Sequence, residues 1–150
     1  MSVGEICNRD VVTTGMETSI AEASKLMRRH HVGCLIIVEG EEDKAKPLGV
    51  VTDRDLVVEV LAKDLPLDGV VGDLTSPELL IARESDGIWE TILRMRAMGV
   101  RRLPVVDDVD HYLAGVLSMD DLLEFLAGEL SDLSKLIRRE GRREAEIRAD

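Results

Sequence analysis

The sequence predicts an α+β fold built from two β-α-β-β-α units that are related by a pseudo-two-fold axis. Two observations support this prediction: the 150-residue chain repeats its own pattern, and strand-like apolar runs alternate with helical patterns in each copy. A shift of 68 positions aligns Met27 with Met95, and beyond residue 38 a shift of 66 positions aligns Gly49 with Gly115. The change of shift falls in a polar stretch, as expected for two copies of one hairpin whose turns differ in length.

Each copy is predicted to contain the same elements in the same order. A short β-rich segment is followed by a helix with apolar residues at spacings of three and four. Thr18-Ser19 and Ser85-Asp86 supply the N-caps of these two helices. Two apolar strands around a turn come next, and a second helix closes the copy. The predicted bounds are residues 11–13, 34–38, 48–51 and 54–62 in the first copy, and residues 79–81, 103–106, 113–117 and 120–130 in the second.

The repeat also sets the predicted domain boundaries. Residues 1–62 form the first unit, residues 63–69 a linker with Pro66 and Gly69, and residues 70–130 the second unit. Residues 131–150 form a charged helical tail, because leucine and isoleucine continue to recur every three or four residues beyond the second unit. This helix either packs across a partner chain or ends as a frayed, charge-rich helix that Gly128 and Gly141 weaken. Both interpretations stay open.

Charge and composition exclude several classes of protein. The chain carries 30 acidic and 19 basic side chains, a net charge of −11, and only 2% aromatic residues. No nucleic-acid partner is expected, because such binding needs a basic face or aromatic stacking platforms. No membrane partner is expected either, since no apolar run approaches the roughly 20 residues of a membrane span. The two cysteines are too few for a disulfide framework. We therefore expect a cytoplasmic protein with an aliphatic core.

One polar motif recurs where a strand meets a helix in each copy. It has the form Gly-h-h-Thr/Ser-x-x-Asp-Leu, where h is an apolar residue, and it occupies residues 49–56 and 115–122. Each copy also contains a Met-Arg-x-x-x-Val segment, ending at Val32 or Val100, and the second contains Arg-Leu-Pro-Val-Val-Asp from residue 102. Together these segments resemble the CBS-domain family. The resemblance covers residues 2–126 and is to a tandem CBS pair, or Bateman module.

The motif places a hydroxyl and a carboxylate at a helix N-terminus. Thr52 or Ser118 can cap the helix and can reach an anion that the helix dipole attracts. Asp55 or Asp121 follows one helical turn later, so it points to the same side. A carboxylate accepts two hydrogen bonds at once, which suits the vicinal hydroxyls of a ribose. The two pairs are candidate nucleoside sites; the alternative is that they only cap helices, with solvated acids in the first turn.

The resemblance implies a ligand and its contacts. In similar proteins the aspartate holds the ribose, the hydroxyl residue contacts ribose or phosphate, and the base lies between apolar walls. AMP, ADP or ATP is the expected ligand, with S-adenosylmethionine or NAD as alternatives and with no obligatory cofactor. The family also pairs as flat homodimers through its helices. Carried over to this sequence, the walls are Thr13-Thr14 with Leu35-Ile36 in the first copy and Ile81-Ala82 with Leu103-Pro104 in the second.

The two candidate sites differ in charge. Arg54 lies beside the first pair and can bind a phosphate with bidentate geometry, or it is an exposed surface charge. The second pair has Met119 and Asp120 beside it and so lacks that cation. A phosphate there would need a cation from Arg101, Arg102 or the opposite copy, so equal occupancy of the two sites is not expected.

Three functional hypotheses result. The leading one is a non-enzymatic sensor that binds an adenosyl ligand between the copies and signals to a separate, unknown effector protein by rearrangement of a homodimer. The second is a structural dimerisation or interaction module whose clefts stay empty. The third is a metal- or redox-responsive protein using His30, His31 and Cys34, although these residues lack the spacing of a zinc site. No P-loop, Gly-x-Gly-x-x-Gly or Gly-x-Ser-x-Gly motif occurs, so no catalytic residue and no metal site are predicted.

Overall fold

The computed structural model describes residues 1–149, apart from the side chain of Glu42. The chain divides into a compact first unit, Met1–Ser118, and a second unit that begins at Met119. Within the described residues the first unit contains two three-stranded sheets, in which the first strand is parallel to the second and the second is antiparallel to the third. This arrangement confirms the predicted α+β fold with one sheet in each copy.

The first copy begins with a short helix and ends with an irregular one. Ser19 caps its long helix by accepting a hydrogen bond from the Glu22 amide at 3.1 Å, as predicted. The closing helix starts as a regular turn, widens to a π-helical turn at Leu56–Val60 and tightens to a 3-10 turn at Leu61–Lys63. The elements are α1 (Val3–Ile6), β1 (Thr13–Thr14), α2 (Ile20–His30), β2 (Cys34–Glu39), β3 (Lys46–Thr52) and α3 (Asp53–Asp55).

The second copy repeats this order, and the second unit contributes one long helix. A 3-10 turn at Val71–Leu74 stands where α1 stands in the first copy. The elements that follow are β4 (Ala82–Arg83), α4 (Ile88–Met98), β5 (Arg102–Val106), β6 (Leu113–Ser118) and α5 (Met119–Arg148). The boundary predicted at residue 130 falls inside α5, which continues through Gly128 and Gly141 without a break.

The opening strands lie later in the sequence than predicted. The segment predicted at residues 11–13 overlaps the first ladder only at Thr13, which pairs with Ile36, and the segment predicted at residues 79–81 precedes the second ladder, which begins where Ala82 pairs with Val105. The apolar residues before each ladder are therefore free to line surface depressions. Apolar composition alone does not distinguish a strand from the extended segment that leads into it.

The N-cap predicted for α4 at Ser85-Asp86 is wrong. Gly87 precedes the first helical residue and makes no side-chain cap. The Ser85 hydroxyl instead donates to Asp108 at 2.5 Å, and the Asp86 carboxylate accepts from the Arg83 amide and from the Arg94 guanidinium. Both side chains are committed to tertiary contacts, so they do not cap the helix.

The first copy encloses an aliphatic core. The apolar stripe of α2 packs on β2 and β3, and the closing helix covers the same side. One member of this core, Val71, belongs to the second copy and is fully buried. The core residues are Ile20, Ala23, Met27, Leu35, Ile37, Val51, Leu56, Val60 and Val71.

Each copy opens with a turn that is hydrogen bonded to the other copy. The Val3 amide donates to the Asp86 carbonyl at 2.9 Å, and at the equivalent positions the Val71 amide donates to the Thr18 carbonyl at 2.8 Å. The two bonds join equivalent residues, 68 positions apart in the sequence, as expected if a pseudo-two-fold axis relates the copies. Arg9 adds a further link from the first copy to the second, and its hydrogen bond to the Glu84 carboxylate raises the pKa of its guanidinium.

The glycines of the repeated motif lie where a segment of one copy passes close to the other. A Cβ atom at Gly115 would lie 2.8 Å from the Asn8 carbonyl oxygen, and one at Gly49 would lie 2.5 Å from Cγ2 of Thr75. The Asn8 amide and carbonyl also exchange 2.9 Å hydrogen bonds with Val116. Each motif therefore needs glycine, because a segment of the other copy passes over it.

Candidate functional site

Thr52 and Asp55 form a hydrogen-bonded pair at the junction of β3 and α3. The Asp55 carboxylate accepts from the Thr52 amide at 2.8 Å and from the Thr52 hydroxyl at 2.9 Å, both through Oδ2. The Asp55 amide in turn donates to the Thr52 hydroxyl oxygen at 3.2 Å. Among the described residues, no hydrogen bond uses Asp55 Oδ1, so one carboxylate oxygen orients the side chain and the other stays available to a ligand.

The pair lies on a pocket of about 490 Å³. Both copies line it: the first copy supplies the motif, and the second supplies the segment before β4 and the segment that joins α4 to β5. This volume is within the usual range of about 300–1,000 Å³ for small-molecule sites. The lining residues are Val50, Thr52, Asp53, Arg54, Asp55, Ser76, Glu78, Leu79, Leu80, Gly99, Val100, Arg101 and Arg102.

The pocket forms because the opening segment of each copy packs against the other copy. Thr75 packs over Gly49 at the start of the motif. The chain that follows Thr75 therefore runs beside β3 and brings Leu79 and Leu80 to the same pocket as Thr52. These two leucines, with Val50 and Val100, give the pocket an aliphatic side.

Arginines give the pocket a second, cationic side. Arg54 comes from the first copy, and Arg101 and Arg102 come from the second. The sequence suggested Arg101 and Arg102 for the other candidate site, whereas the structure places both with Thr52 and Asp55. Guanidinium groups bind phosphate through paired hydrogen bonds, although Asp53 and Glu78 on the same lining offset part of their charge.

The residues predicted as apolar walls lie elsewhere. Thr14 is buried and its hydroxyl bonds to Thr18 at 2.7 Å. Leu35 and Ile36 are buried in β2, and none of the predicted wall residues is among those that line this pocket. The aliphatic residues that line this pocket, Leu79, Leu80 and Val100, come instead from the second copy. The other predicted wall residues are Thr13, which is exposed, Ile81, which is half-buried, and the buried residues Ala82, Leu103 and Pro104.

The second motif divides between the two units. Ser118 is the last residue of β6 in the first unit, and Asp121 lies in the first turn of α5 in the second. Within the first unit, residues 8–13 with His30 and Val32 line a depression of about 630 Å³. The 68-residue shift relates this lining to that of the Thr52 pocket, but it places Gly33 and Cys34 where the Thr52 pocket has Arg101 and Arg102.

The histidines and cysteine of the metal hypothesis are close in sequence. His30 ends α2, His31 follows it with a left-handed backbone (φ 54°), and Cys34 opens β2. Across residues 1–149, no group of three or more His, Cys, Asp or Glu side chains is arranged to hold a metal ion. Among the same residues, no helix is both long enough and apolar enough to cross a membrane.

The sequence matches one family model twice. The CBS-domain model covers residues 3–62 and 71–128. An uncharacterised protein of Methanopyrus kandleri, MK0525, is 35% identical over 125 residues, which are 83% of this chain and 62% of that protein. The chain thus spans less than two thirds of that relative. Hypoxic response protein 1 of Mycobacterium tuberculosis is 31% identical over 123 residues, covering 81% of this chain and 82% of that protein.

Solved structures share the fold. The crystal structure of Hypoxic Response Protein I with two coordinated zinc ions has a TM-score of 0.68 and 29% identity, covering 83% of this chain and 98% of that one. The CBS domain protein PAE2072 from Pyrobaculum aerophilum, complexed with AMP, has a TM-score of 0.72 and 25% identity, covering 81% of this chain and 90% of that one.

Proposed function

Because this chain belongs to the CBS-domain family as a tandem pair, we propose that it is a non-enzymatic regulatory module that binds an adenosyl ligand between its two copies. One observation carries the proposal. The Thr52–Asp55 pair lies on a pocket whose apolar and cationic sides come largely from the second copy. Ribose, base and phosphate each meet suitable chemistry there.

The ribose is assigned to Asp55. Its Oδ2 atom is fixed by the Thr52 amide and hydroxyl, which sets the plane of the carboxylate before a ligand arrives. The carboxylate then accepts the 2′ and 3′ hydroxyls, and a hydrogen bond to a charged acceptor contributes about 1.5–3 kcal/mol. A ligand without the vicinal diol loses this contribution.

The base and phosphates are assigned to the two remaining sides. Leu79, Leu80 and Val100 offer aliphatic contact to a purine ring, while Arg101 and Arg102 offer donors to a phosphate. AMP, ADP and ATP fit this division best, and AMP is the ligand of the related PAE2072 structure. S-adenosylmethionine and NAD share the adenosine part and are the alternatives.

Regulation follows from the position of the pocket. A ligand that contacts both copies favours the arrangement in which both sets of contacts form, and it shifts that equilibrium only by its difference in affinity for the two arrangements. We propose that a homodimer passes this change to a separate effector protein. Ser118 and Asp121 repeat the motif and remain the predicted second site.

Calorimetric titration of the full chain with AMP, ATP and S-adenosylmethionine tests the proposal. Asp55→Ala should weaken binding at least about tenfold, because it removes the ribose acceptor. Glu5→Ala is the matched control: Glu5 closes the same kind of capping box at α1, where its carboxylate accepts from the Ser2 amide, and it is outside the pocket. No heat with any of the three ligands would refute the proposal and favour the dimerisation module. Equal losses in both variants would refute the role of Asp55.

A further inference from the structure

Helix α5 exposes an apolar stripe that its own unit does not cover. The helix has 30 residues, and every residue from 127 to 148 except Ser134 is exposed. Leu130, Leu133 and Ile137 are 68%, 58% and 69% exposed. Helices in proteins obtain most of their stability from packing of an apolar face, so an exposed apolar stripe on a helix of this length points to a surface that covers it.

The spacing of the stripe is that of a coiled coil. Its members alternate steps of four and three residues, which is the a/d pattern of a heptad repeat. Two glutamates occupy the next two a/d positions, and Ile147 returns an apolar residue to the one after them. The stripe consists of Met119, Leu123, Leu126, Leu130, Leu133 and Ile137, followed by Glu140, Glu144 and Ile147.

We propose that α5 forms an antiparallel coiled coil with α5 of a second copy of this chain. The charge distribution selects this partner and this direction. The half of the helix before residue 133 carries the acids Asp120, Asp121, Glu124, Glu129 and Asp132 and no basic residue. The part after residue 137 carries five arginines, at positions 138, 139, 142, 143 and 148, against three glutamates at positions 140, 144 and 146, so its net charge through Arg148 is positive. An antiparallel pair lays each acidic part along an arginine-rich part of net positive charge, whereas a parallel pair lays the two acidic parts together and stacks Glu140 on Glu140.

One register satisfies the positions that flank the stripe. With Leu133 facing Ile137 of the second copy, the flanking positions pair Glu129 with Arg143 of the second copy. The same register brings the small residue Ser134 beside Ser134 of the second copy, and Ala127 beside its Gly141. Small side chains on one flank allow close approach, and opposite charges on the other favour this register over its neighbours.

A cysteine at the self-pairing position tests the direction and the register. Oxidised full-length Ser134→Cys should form a disulfide-linked dimer, identified by peptide mapping as a 134–134 link. In a parallel coiled coil the two copies of this position lie on opposite sides of the stripe and cannot be joined. Lys135→Cys, on the outer face of the helix, is the matched control and should not cross-link. A 134–134 yield no higher than that of Lys135→Cys would overturn the proposal.

A charge swap tests the flanking pair in the Ser134→Cys protein. Glu129→Lys and Arg143→Glu should each lower the rate of cross-linking about tenfold, because each replaces two attractive pairs by repulsive ones. The double variant should restore it. Arg142→Glu makes the same charge change on the outer face and should leave the rate within about twofold. Failure of the double variant to restore cross-linking, or an equal effect of Arg142→Glu, would refute the register. The experiment does not depend on what the nucleotide pocket binds.

Discussion

Gly49→Ala should destabilise the protein, because the added methyl group would overlap the Thr75 side chain where the second copy packs over the first motif. The new Cβ atom would lie 2.5 Å from Thr75 Cγ2 and 3.1 Å from Thr75 Cβ. Thr75 cannot turn away without loss, because its hydroxyl donates to the Gly72 carbonyl at 2.8 Å. Overpacking of this kind costs about 1–3 kcal/mol. For a chain of 150 residues, that corresponds to a fall in Tm of about 2–4 °C for each kcal/mol.

A double-mutant cycle assigns the cost to this contact. Thr75→Ser removes the Cγ2 atom and keeps the hydroxyl, so Gly49→Ala with Thr75→Ser should recover at least half of the lost stability. Urea unfolding measures each variant, with a constant m-value as the check on two-state behaviour. Gly15→Ala is the matched control, since no atom lies within 4 Å of its added Cβ. The reasoning is refuted if Gly49→Ala behaves like Gly15→Ala, or if Thr75→Ser brings no relief.

Three further predictions follow from the pocket and the loops. Arg101→Ala with Arg102→Ala should weaken AMP and ATP at least about tenfold in calorimetry and leave adenosine unchanged; an equal loss for adenosine would contradict their role as phosphate ligands. Gly115→Ala should lower the free energy of unfolding by about 1–3 kcal/mol or more, because the added Cβ atom would lie 2.8 Å from Cys7 Sγ and 2.8 Å from the Asn8 carbonyl oxygen, a backbone atom that no substitution can remove. The pKa of Asp107 is lowered because its carboxylate accepts three backbone amides of the following turn. Its contribution to stability is therefore present above its ordinary value of 3.8 and is lost as the pH falls through the lower folded value. Unfolding curves between about pH 5 and pH 2 should show this step in the wild type and a smaller one in Asp107→Asn.

The features that depend on local spacing were predictable from the sequence. The two hairpins could be located from the repeat, because each strand appears in the sequence as a short run of apolar residues, which indicates a buried strand. The same is true of the capping residue Ser19 and of the Thr52–Asp55 pair, whose members are three residues apart. A hydroxyl and a carboxylate at that spacing meet through local geometry, whatever the rest of the chain does.

The features that depend on tertiary contacts were not predictable. Ser85 and Asp86 look like caps, yet Asp108 and Arg94 bind them across the fold and Gly87 precedes the helix instead. Leu35, which was predicted as a wall, is buried in β2 and does not line the Thr52 pocket, and burial in a sheet and exposure to a cleft leave the same apolar signature in a sequence.

The sequence by itself determined that this protein is a tandem pair of CBS units with an acidic charge, an aliphatic core and a Thr/Ser-x-x-Asp pair at each strand-to-helix junction. Only the tertiary structure decided that Leu79, Leu80, Arg101 and Arg102 complete the pocket of Thr52 and Asp55. The physical reason is the reciprocal exchange, in which the opening segment of one copy packs over the motif glycine of the other. Such a contact joins residues that are far apart in the chain and have no shared periodicity, so only the folded backbone reveals why each motif begins with glycine.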